Sequence, residues 1–576
     1  MPQIRQQVVS TPGKAEKSPC HKRFKHCPEP WQLVKMINLQ ELIFMRIVLV
    51  FPPRASATYA PLGIASLTSF IEQSVPNASV EMVDLNIETW VCLARNDPQG
   101  QVLLDFLQGR AGHFLDVQET LFHKVIWDRL RQQMGECAVQ AKQYAETGET
   151  GRDYDTILKS QAERILAFDP ELVGFSVLFP EQVPFAAALA NALKQAAGER
   201  ASNGRARSLK VVIGGAMMSA LCVHDLLAAC AGIDGVVCGE GEMAAAALAS
   251  GMDWSLVPGL VYKNMSGIVD NPKSQTLSLK SLPAPDFSRF PMNSYFNPAP
   301  VLPVLFSRGC LWRKCRFCAH NFSFAGYRKK TITAFVDELE EYYTTMGVRH
   351  FYSADEYIAP PDMDAIALEI LARELKISYQ VLGKPTHECT QERMALWAAS
   401  GCRWIGWGVE SGSQRLLDLI NKGTRVTDIE QVLRASAQVG ISNLPMMIFG
   451  LPTSSEIDLA ETTGFLERIY DTAGALSASA FVLFDGTHFA RNARQYQLHV
   501  DSPYELLRVA GKPLYSRRLK FREISSDGSL RSPKGALEVS EWTRHRRWLG
   551  EIPLLEQLPS EHYLLHVSGF RQLQPL

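Results

Sequence analysis

Three cysteines lie within nine residues, in the segment Gly309-Cys310-Leu-Trp-Arg-Lys-Cys315-Arg-Phe317-Cys318. A short apolar run, Leu302 to Ser307, precedes them and is predicted to be a β-strand. Three thiolates on one loop can bind three irons of a [4Fe–4S] cluster, because soft cysteine sulfur is the ligand that such clusters select. The fourth iron then remains open to a small molecule. The spacing therefore predicts a cluster-binding loop.

A structural zinc site is the alternative for the same cysteines, because Cys-x2-4-Cys pairs are also typical of zinc. A closed tetrahedral zinc site needs a fourth ligand, and His320 is placed to supply it. The residues that follow the cysteines along the chain favour the cluster.

Composition limits the possible classes of protein. The 576 residues suffice for about three or four domains, and 59 Lys plus Arg against 60 Asp plus Glu leave no global field that favours nucleic acid or an anionic membrane. The 12 cysteines are scattered apart from the triplet, so they do not form a disulfide framework. A reducing cytoplasm is the expected location. No apolar run of about 18 residues is present, so no membrane-spanning helix is expected.

The first 44 residues are polar and basic at the start, with Lys14, Lys17 and Lys22 among them. Because an apolar strand begins at Met45, residues 1–44 are predicted to be a disordered leader or a mis-assigned start.

From Met45 onward, strands and helices alternate. Strands are predicted near Arg46–Phe51, Val80–Val83 and at Leu172, Leu209 and Ile233, with glycines at several strand ends. Residues 91–160 interrupt the pattern and are predicted to be a helical insertion without an assigned role. The alternation predicts a doubly wound parallel sheet in residues 45–262, with ligands beyond the carboxyl ends of its strands.

A proline-rich stretch, residues 263–300, is predicted to link this domain to the next. Residues 301–500 contain about six strand–helix repeats, which predict a partial (β/α)6 barrel with its chemistry at the carboxyl ends of the strands. Residues 501–576 are predicted to be a C-terminal extension of unknown role.

The closing Cys315-Arg-Phe317-Cys318 has the Cys-x-aromatic-Cys form of radical S-adenosylmethionine enzymes, and Gly408-Val-Glu-Ser-Gly-Ser413 also matches that superfamily. The chain therefore resembles it. The common motif has three residues between the first two cysteines, whereas this chain has four, Leu311 to Lys314.

An ordered set of short motifs in residues 45–262 resembles the cobalamin-binding domain that precedes the barrel in one group of this superfamily. The set comprises Pro52-Pro53, Pro61-Leu-Gly63, Asp84-x-Asn86, Gly174-Phe-Ser176, Gly214-Gly215 and Gly239-Glu-Gly-Glu242. The Asp-x-His-x-x-Gly motif that supplies a histidine to cobalt in many cobalamin proteins is absent from the first loop. A domain that kept the fold and lost the cofactor is the alternative.

The resemblance implies an α/β protein, with a Rossmann-like cobalamin-binding-type domain followed by a partial TIM-like radical S-adenosylmethionine barrel. It implies three cofactors: a [4Fe–4S] cluster on Cys310, Cys315 and Cys318, S-adenosylmethionine and cobalamin. The residues expected to contact S-adenosylmethionine are Phe317, Asp355, Glu356, Glu410 and Ser411. Those expected to contact cobalamin are Leu62, Gly63, Asp84, Ser176, Gly214, Gly215, Glu240 and Gly241. For Glu410 and Ser411 a helix cap is the alternative role, compatible with the first.

The activity implied by the resemblance is methyl transfer to an unactivated centre. One S-adenosylmethionine methylates cobalt, a second is cleaved by the reduced cluster to a 5′-deoxyadenosyl radical, and the substrate radical takes the methyl group. The substrate is a small molecule or peptide, and the electron comes from a donor such as flavodoxin or ferredoxin. The alternatives are a cobalamin-independent radical rearrangement, cyclisation or oxidation and, more remotely, a non-catalytic metal or redox sensor. Nothing indicates nucleic-acid binding.

Replacement of Cys310 by alanine is expected to abolish cleavage of S-adenosylmethionine, because the cluster loses one of its three iron ligands. Formation of 5′-deoxyadenosine by the reduced protein measures this. A Cys310→Ala variant that forms 5′-deoxyadenosine at the wild-type rate would contradict the ligand assignment.

Overall fold

Continuous apolar runs form the strands of two largely parallel sheets, and such sheets are buried on both faces. The computed structural model describes residues 45–109, 116–202, 209–273, 276–320, 326–509, 511–548 and 559–569. The predicted leader, residues 1–44, lies outside these ranges.

The first sheet has seven strands in the order β2-β1-β3-β4-β5-β6-β7. Strands β1 to β5 pair in parallel, and β6 and β7 add an antiparallel hairpin at one edge. The strands are β1 Arg46–Phe51, β2 Ser79–Asp84, β3 Leu172–Ser176, β4 Lys210–Gly214, β5 Gly235–Val237, β6 Leu260–Asn264 and β7 Gly267–Asp270. The doubly wound parallel sheet is thus confirmed, with β7 lying within the predicted linker.

The helices of this half pack around the sheet in groups. Helices α1 and α8 pack against each other, and α4 and α5 pack against α6. The helices are α1 Leu62–Ser74, α2 Leu85–Asn96, α3 Gly100–Leu107, α4 Val117–Thr147, α5 Arg152–Leu166, α6 Val183–Ser202, α7 Val223–Ala229 and α8 Glu242–Ala249. The described residues of the predicted insertion, 91–160, therefore supply most of one of these groups.

The second sheet has six parallel strands in the order β15-β14-β13-β12-β11-β8. Its strands are β8 Val301–Val304, β11 His350–Ser353, β12 Ser378–Gly383, β13 Cys402–Glu410, β14 Ser442–Phe449 and β15 Ser477–Ala480. A separate short pair, β9 Ser307–Arg308 and β10 Arg328–Lys329, follows β8 along the chain. The intervening helices are α9 Ile332–Thr345, α10 Pro360–Ala372, α11 Gln391–Ala399, α12 Gln414–Leu419, α13 Val426–Gln438 and α14 Glu456–Ile469. The partial (β/α)6 barrel is confirmed.

The C-terminal residues add a third, antiparallel sheet and three helices. The sheet contains β16 Leu483–Phe484, β17 Leu498–Val509, β18 Lys512–Ile524 and β19 Leu530–Arg531, and the helices are α15 His488–Arg491, α16 Gly535–Trp548 and α17 Ser560–Val567. Strand β17 packs on α4, and β18 packs on α7. Helix α17 packs against the barrel strands β11, β12 and β13, so the chain returns at its end to the barrel.

The described residues, from 45 onward, pack as one compact unit. Within the described ranges, no helix combines the length and the apolar character that crossing a membrane requires.

Candidate functional site

A cavity of about 1520 Å³ separates the carboxyl ends of the two parallel sheets. One side is formed by the loops after β1, β3, β4 and β5, and the other by residues at the ends of β8, β11 and β12. Helix α4 and the first residues of α17 complete the wall. Ligand sites for drug-sized molecules are typically about 300–1,000 Å³, so this cavity has room for more than one small molecule.

Most residues predicted to contact cobalamin line this cavity. They are Leu62, Gly63, Ser176, Gly214, Gly215, Glu240 and Gly241. A Cβ atom at Gly63 would lie 3.0 Å from Ser176 Oγ, and one at Gly215 (φ +101°) would lie 2.4 Å from the Val177 carbonyl oxygen. Glycine is therefore required at position 215, and at position 63 a side chain would crowd the hydroxyl of Ser176. A smooth glycine wall and the size of the cavity fit a large planar cofactor such as cobalamin.

Asp84 has a different environment from the other predicted cobalamin residues. Its carboxylate accepts hydrogen bonds from the Ile87 N–H (3.1 Å) and the Tyr295 hydroxyl (2.7 Å), and so caps helix α2. Burial raises its pKa to about 7. Asp84 lies outside the residues that line the cavity, and its contact with cobalamin stays a prediction.

Glu240 belongs to a cluster of ion pairs between the two halves of the protein. Arg308 donates to Glu240 at 2.8 Å and pairs with Glu242, and Arg328 also pairs with Glu240. The side chain of Arg308 is 12% exposed and that of Glu242 is 5% exposed. Arg308 lies two residues before Cys310. These ion pairs therefore join the 239–242 loop, which lines the cavity, directly to the start of the cysteine loop.

The cysteine loop is fixed against the segment between α12 and α13. The Arg316 N–H donates to the Ile420 carbonyl (2.9 Å), and the Trp312 indole N–H donates to the Asn421 carbonyl (2.9 Å). The longer spacing is accommodated by Arg313, which has φ +51°. Phe317 is half-buried and packs against the hydrophobic core outside the cavity lining.

The three thiols are partly buried and unbonded to one another. Burial raises the pKa of Cys318 to about 12 and raises that of Cys315, while the Lys422 ammonium lowers the pKa of Cys315. Bound iron deprotonates a coordinating thiol outright, so these cysteines fit an iron site that supplies its own positive charge.

His320, which the zinc alternative requires as a fourth ligand, has a carboxylate partner, because its Nδ1 lies 2.6 Å from Glu356 Oε1. Among the described residues, no three His, Cys, Asp or Glu side chains converge on a point that would hold one metal ion. In a [4Fe–4S] cluster each thiolate binds a different iron, so the three cysteines need not converge on one point to bind it.

Glu410 and Ser411 lie at the end of β13, close to the cysteine loop but outside the cavity lining. Lys422 Nζ donates to Glu410 Oε1 at 2.6 Å, and the Lys422 ammonium also interacts electrostatically with the Cys315 thiol. The Ser411 hydroxyl oxygen accepts the Ser413 N–H (3.1 Å), and the Ser413 hydroxyl donates to Asp458. Neither side chain bonds a free N–H of α12, so the alternative of a helix cap is wrong. Contact of Glu410 or Ser411 with S-adenosylmethionine stays a prediction.

Asp355 and Glu356 both line the cavity, but their carboxyl groups have different hydrogen-bond partners. The buried carboxylate of Asp355 accepts hydrogen bonds from the backbone of Phe306 (3.0 Å) and the hydroxyls of Ser307 (2.6 Å) and Ser353 (2.8 Å). It therefore holds together the strand ends that carry Arg308. Glu356 pairs with His320, and this hydrogen bond raises the pKa of the imidazole.

Several cavity residues were not predicted. Arg308 directly follows a predicted strand and precedes the cysteines, so its position was a usable signal. Tyr59, Trp127, Tyr352 and Glu561 also line the cavity. Trp127 and Glu561 lie in segments that carry no motif, so no local pattern indicated a role for either residue.

Comparisons with known proteins agree with this geometry. Residues 149–249 match the profile of the B12 binding domain, and residues 304–466 match that of the Radical SAM superfamily. An uncharacterized methyltransferase of Pyrococcus horikoshii is 23% identical over 323 residues, which are 55% of this chain and 68% of the relative. An anaerobic magnesium-protoporphyrin IX monomethyl ester cyclase of Rubrivivax gelatinosus is 25% identical over 245 residues, which are 40% of this chain and 44% of the cyclase.

A solved structure shares the fold over most of the chain. The cobalamin-dependent S-adenosylmethionine radical enzyme OxsB, with aqua-cobalamin and S-adenosylmethionine bound, superposes with a TM-score of 0.60 at 16% identity, covering 88% of this chain and 67% of OxsB. The Radical SAM match, together with a relative named as a methyltransferase, sets the sensor alternative aside. The chain carries a B12 binding domain followed by a radical S-adenosylmethionine enzyme domain, which confirms the resemblance stated from the sequence.

Proposed function

We propose that the protein is a cobalamin-dependent methyltransferase that acts on an unactivated centre of a small-molecule or peptide substrate. The observation that carries this proposal is the single cavity of about 1520 Å³ that both parallel sheets line. Methyl transfer to an unactivated centre needs two cofactors at one substrate, and a shared cavity supports that requirement. The relationship to a methyltransferase of Pyrococcus horikoshii is consistent with it.

When bound, cobalamin supplies a methyl carrier, and the cluster with S-adenosylmethionine supplies a radical that abstracts hydrogen. Cys310, Cys315 and Cys318 would hold the cluster. Glu410, Ser411, Glu356 and the backbone near Phe317 would hold S-adenosylmethionine, and the glycine wall of loops 214–215 and 239–241 would hold cobalamin.

The side chains of the protein position these groups and exclude water. Asp355 fixes the end of β8, which sets the direction of the cysteine loop. Lys422 brings a positive charge, largely out of solvent, to Cys315 and Glu410. Trp90 and Trp127, stacked with 5.7 Å between ring centroids, close the cavity on the side of the helical insertion. Exclusion of water matters because a carbon radical must meet substrate before solvent.

An external electron donor such as flavodoxin or ferredoxin belongs to the proposal. Leu311, Arg313 and Lys314 are exposed on the cysteine loop, and Leu311 is 50% exposed. A small apolar and cationic surface beside the cluster suits an acidic redox protein. The free thiols of the described cysteines also suit a reducing cytoplasm.

A radical cyclisation, rearrangement or oxidation is the second candidate, because one relative is a cyclase. The two candidates differ in the fate of the S-adenosylmethionine methyl group. A methyltransferase produces S-adenosylhomocysteine as well as 5′-deoxyadenosine, whereas a radical enzyme of the second kind produces 5′-deoxyadenosine without it.

Protein reconstituted with iron, sulfide and cobalamin is therefore expected to form S-adenosylhomocysteine from S-adenosylmethionine under reducing conditions, and to stop doing so when cobalamin is omitted. Ser176→Phe, which fills the glycine wall, is expected to reduce this product at least tenfold, and Ser160→Phe on the exposed face of α5 is the control. Mass spectrometry of the nucleosides measures both products. 5′-Deoxyadenosine without S-adenosylhomocysteine in the cobalamin-loaded protein would favour the second candidate.

Arg308→Met is expected to weaken retention of cobalamin, because it leaves Glu242 buried without its cation and removes one of the two arginines that pair with Glu240. Removal of one partner of a buried ion pair typically costs about 3–5 kcal/mol. Cobalamin absorbance after gel filtration, together with the thermal midpoint, measures the effect.

Arg373→Met is the matched control, because Arg373 binds three carboxylates where Arg308 binds two, but those on Asp337 and Glu340 are 60% and 42% exposed. Exposed ion pairs contribute little. Equal cobalamin retention by Arg308→Met and the wild type would show that the ion-pair cluster does not hold the 239–242 loop in place.

A further inference from the structure

The last helix of the described chain begins at the cavity. Pro559, Ser560 and Glu561 line the cavity wall, and the remainder of α17 packs against β11, β12 and β13. The sequence assigned no role to this segment. Its first turn nevertheless reaches the same space as the strand ends of both sheets.

Residues other than Glu561 secure the position of this helix. His562 Nε2 lies 2.6 Å from the Phe296 carbonyl oxygen, and Leu564 and Leu565 are fully buried. The ring of Tyr563 packs edge-to-face on Trp404, with 5.4 Å between centroids. The carboxyl group of Glu561 is therefore carried into the cavity wall by a helix that its neighbours already anchor.

The environment of Glu561 is costly for a carboxyl group. Glu561 is 4% exposed, and its Oε2 accepts a hydrogen bond of 2.7 Å from the Thr58 hydroxyl. Burial raises the pKa of Glu561, and burial followed by the charge of Glu561 raises the pKa values of the nearby phenols Tyr59 and Tyr352. All three side chains line the cavity. A buried carboxyl beside two phenols is expensive unless it has a further partner.

The adjoining wall is aromatic. Trp127 stacks on Trp90 with an interplanar angle of 14°, and its ring centroid lies 6.0 Å from that of His562, next to Glu561. Both tryptophans line the cavity. A flat apolar group therefore has a surface to pack on within reach of the carboxyl group.

We propose that Glu561, Tyr59 and Tyr352 form a substrate subsite, which binds the amine or hydroxyl group of a largely apolar, ring-containing substrate against Trp90 and Trp127. The inference rests on the proposed function, in which the cavity receives the substrate beside the two cofactors. It gives a role to both segments that the sequence left unassigned, since Trp127 lies on the helical insertion and Glu561 on the C-terminal helix.

Three probes of one shape test the subsite: 2-phenylethylamine, 2-phenylethanol and ethylbenzene, which carry an amine, a hydroxyl or no hydrogen-bond donor. Their binding to the full-length, cofactor-loaded protein is measured by saturation-transfer difference NMR. The wild type is expected to bind at least one donor-bearing probe about three- to tenfold more tightly than ethylbenzene, the gain from one hydrogen bond. Glu561→Leu is expected to remove this preference.

Two further variants separate the possible causes. Glu561→Gln keeps a hydrogen-bond acceptor and loses the negative charge, so it is expected to retain a preference for the alcohol and to lose one for the amine. Thr58→Val removes the internal partner of Glu561 and is expected to keep the wild-type preference.

A wild type that does not distinguish the three probes, or a Glu561→Leu variant that retains the preference, would overturn the subsite. Equal loss in Thr58→Val and Glu561→Leu would also overturn it, because Glu561 would then act only through its bond to Thr58. Probe binding requires no turnover. If the probes do not bind as expected, the subsite is wrong and the methyltransferase proposal is unaffected. If S-adenosylhomocysteine is not formed, the methyltransferase proposal is wrong and the probe-binding result still stands.

Discussion

Parallel sheets present their loops and ligands at the carboxyl ends of their strands, and this constraint shapes the whole protein. Here two such sheets face one cavity with those ends. Each sheet alone could serve one cofactor. Facing each other, they enclose the space in which a substrate can meet both, which is why the chemistry depends on how the two halves are held together.

The ion pairs of Arg308 and Arg328 with Glu240 and Glu242 hold these faces at the centre of the structure. They are largely buried, so their net contribution to stability is small compared with the cost of breaking them, and their value lies in a fixed geometry. Arg308 is two residues from Cys310, and Glu240 opens the loop that forms the cobalamin side. One side chain thus links the positions of both proposed cofactor sites.

Local patterns were sufficient to predict much of this arrangement. The barrel strands β8 and β13 follow buried apolar runs, and Gly215 follows a strand end with φ +101°, where a side chain would clash with the backbone of Val177. Asp84 shows the limit of such patterns, because a polar residue after a strand can equally cap the next helix, as it does here with Ile87. Glu561 was beyond reach for a different reason. Its partner Thr58 is 503 positions away, and no local period records a contact at that separation.

In the proposed enzyme, the cluster and cobalamin face one another across a single cavity. Pulsed electron paramagnetic resonance of protein loaded with about one cobalamin and about four irons per chain tests it most directly. Reduction of the cluster is expected to accelerate the spin relaxation of cob(II)alamin, because two paramagnetic centres in one cavity interact magnetically. Unchanged relaxation of cob(II)alamin in fully loaded, reduced protein would contradict the shared cavity.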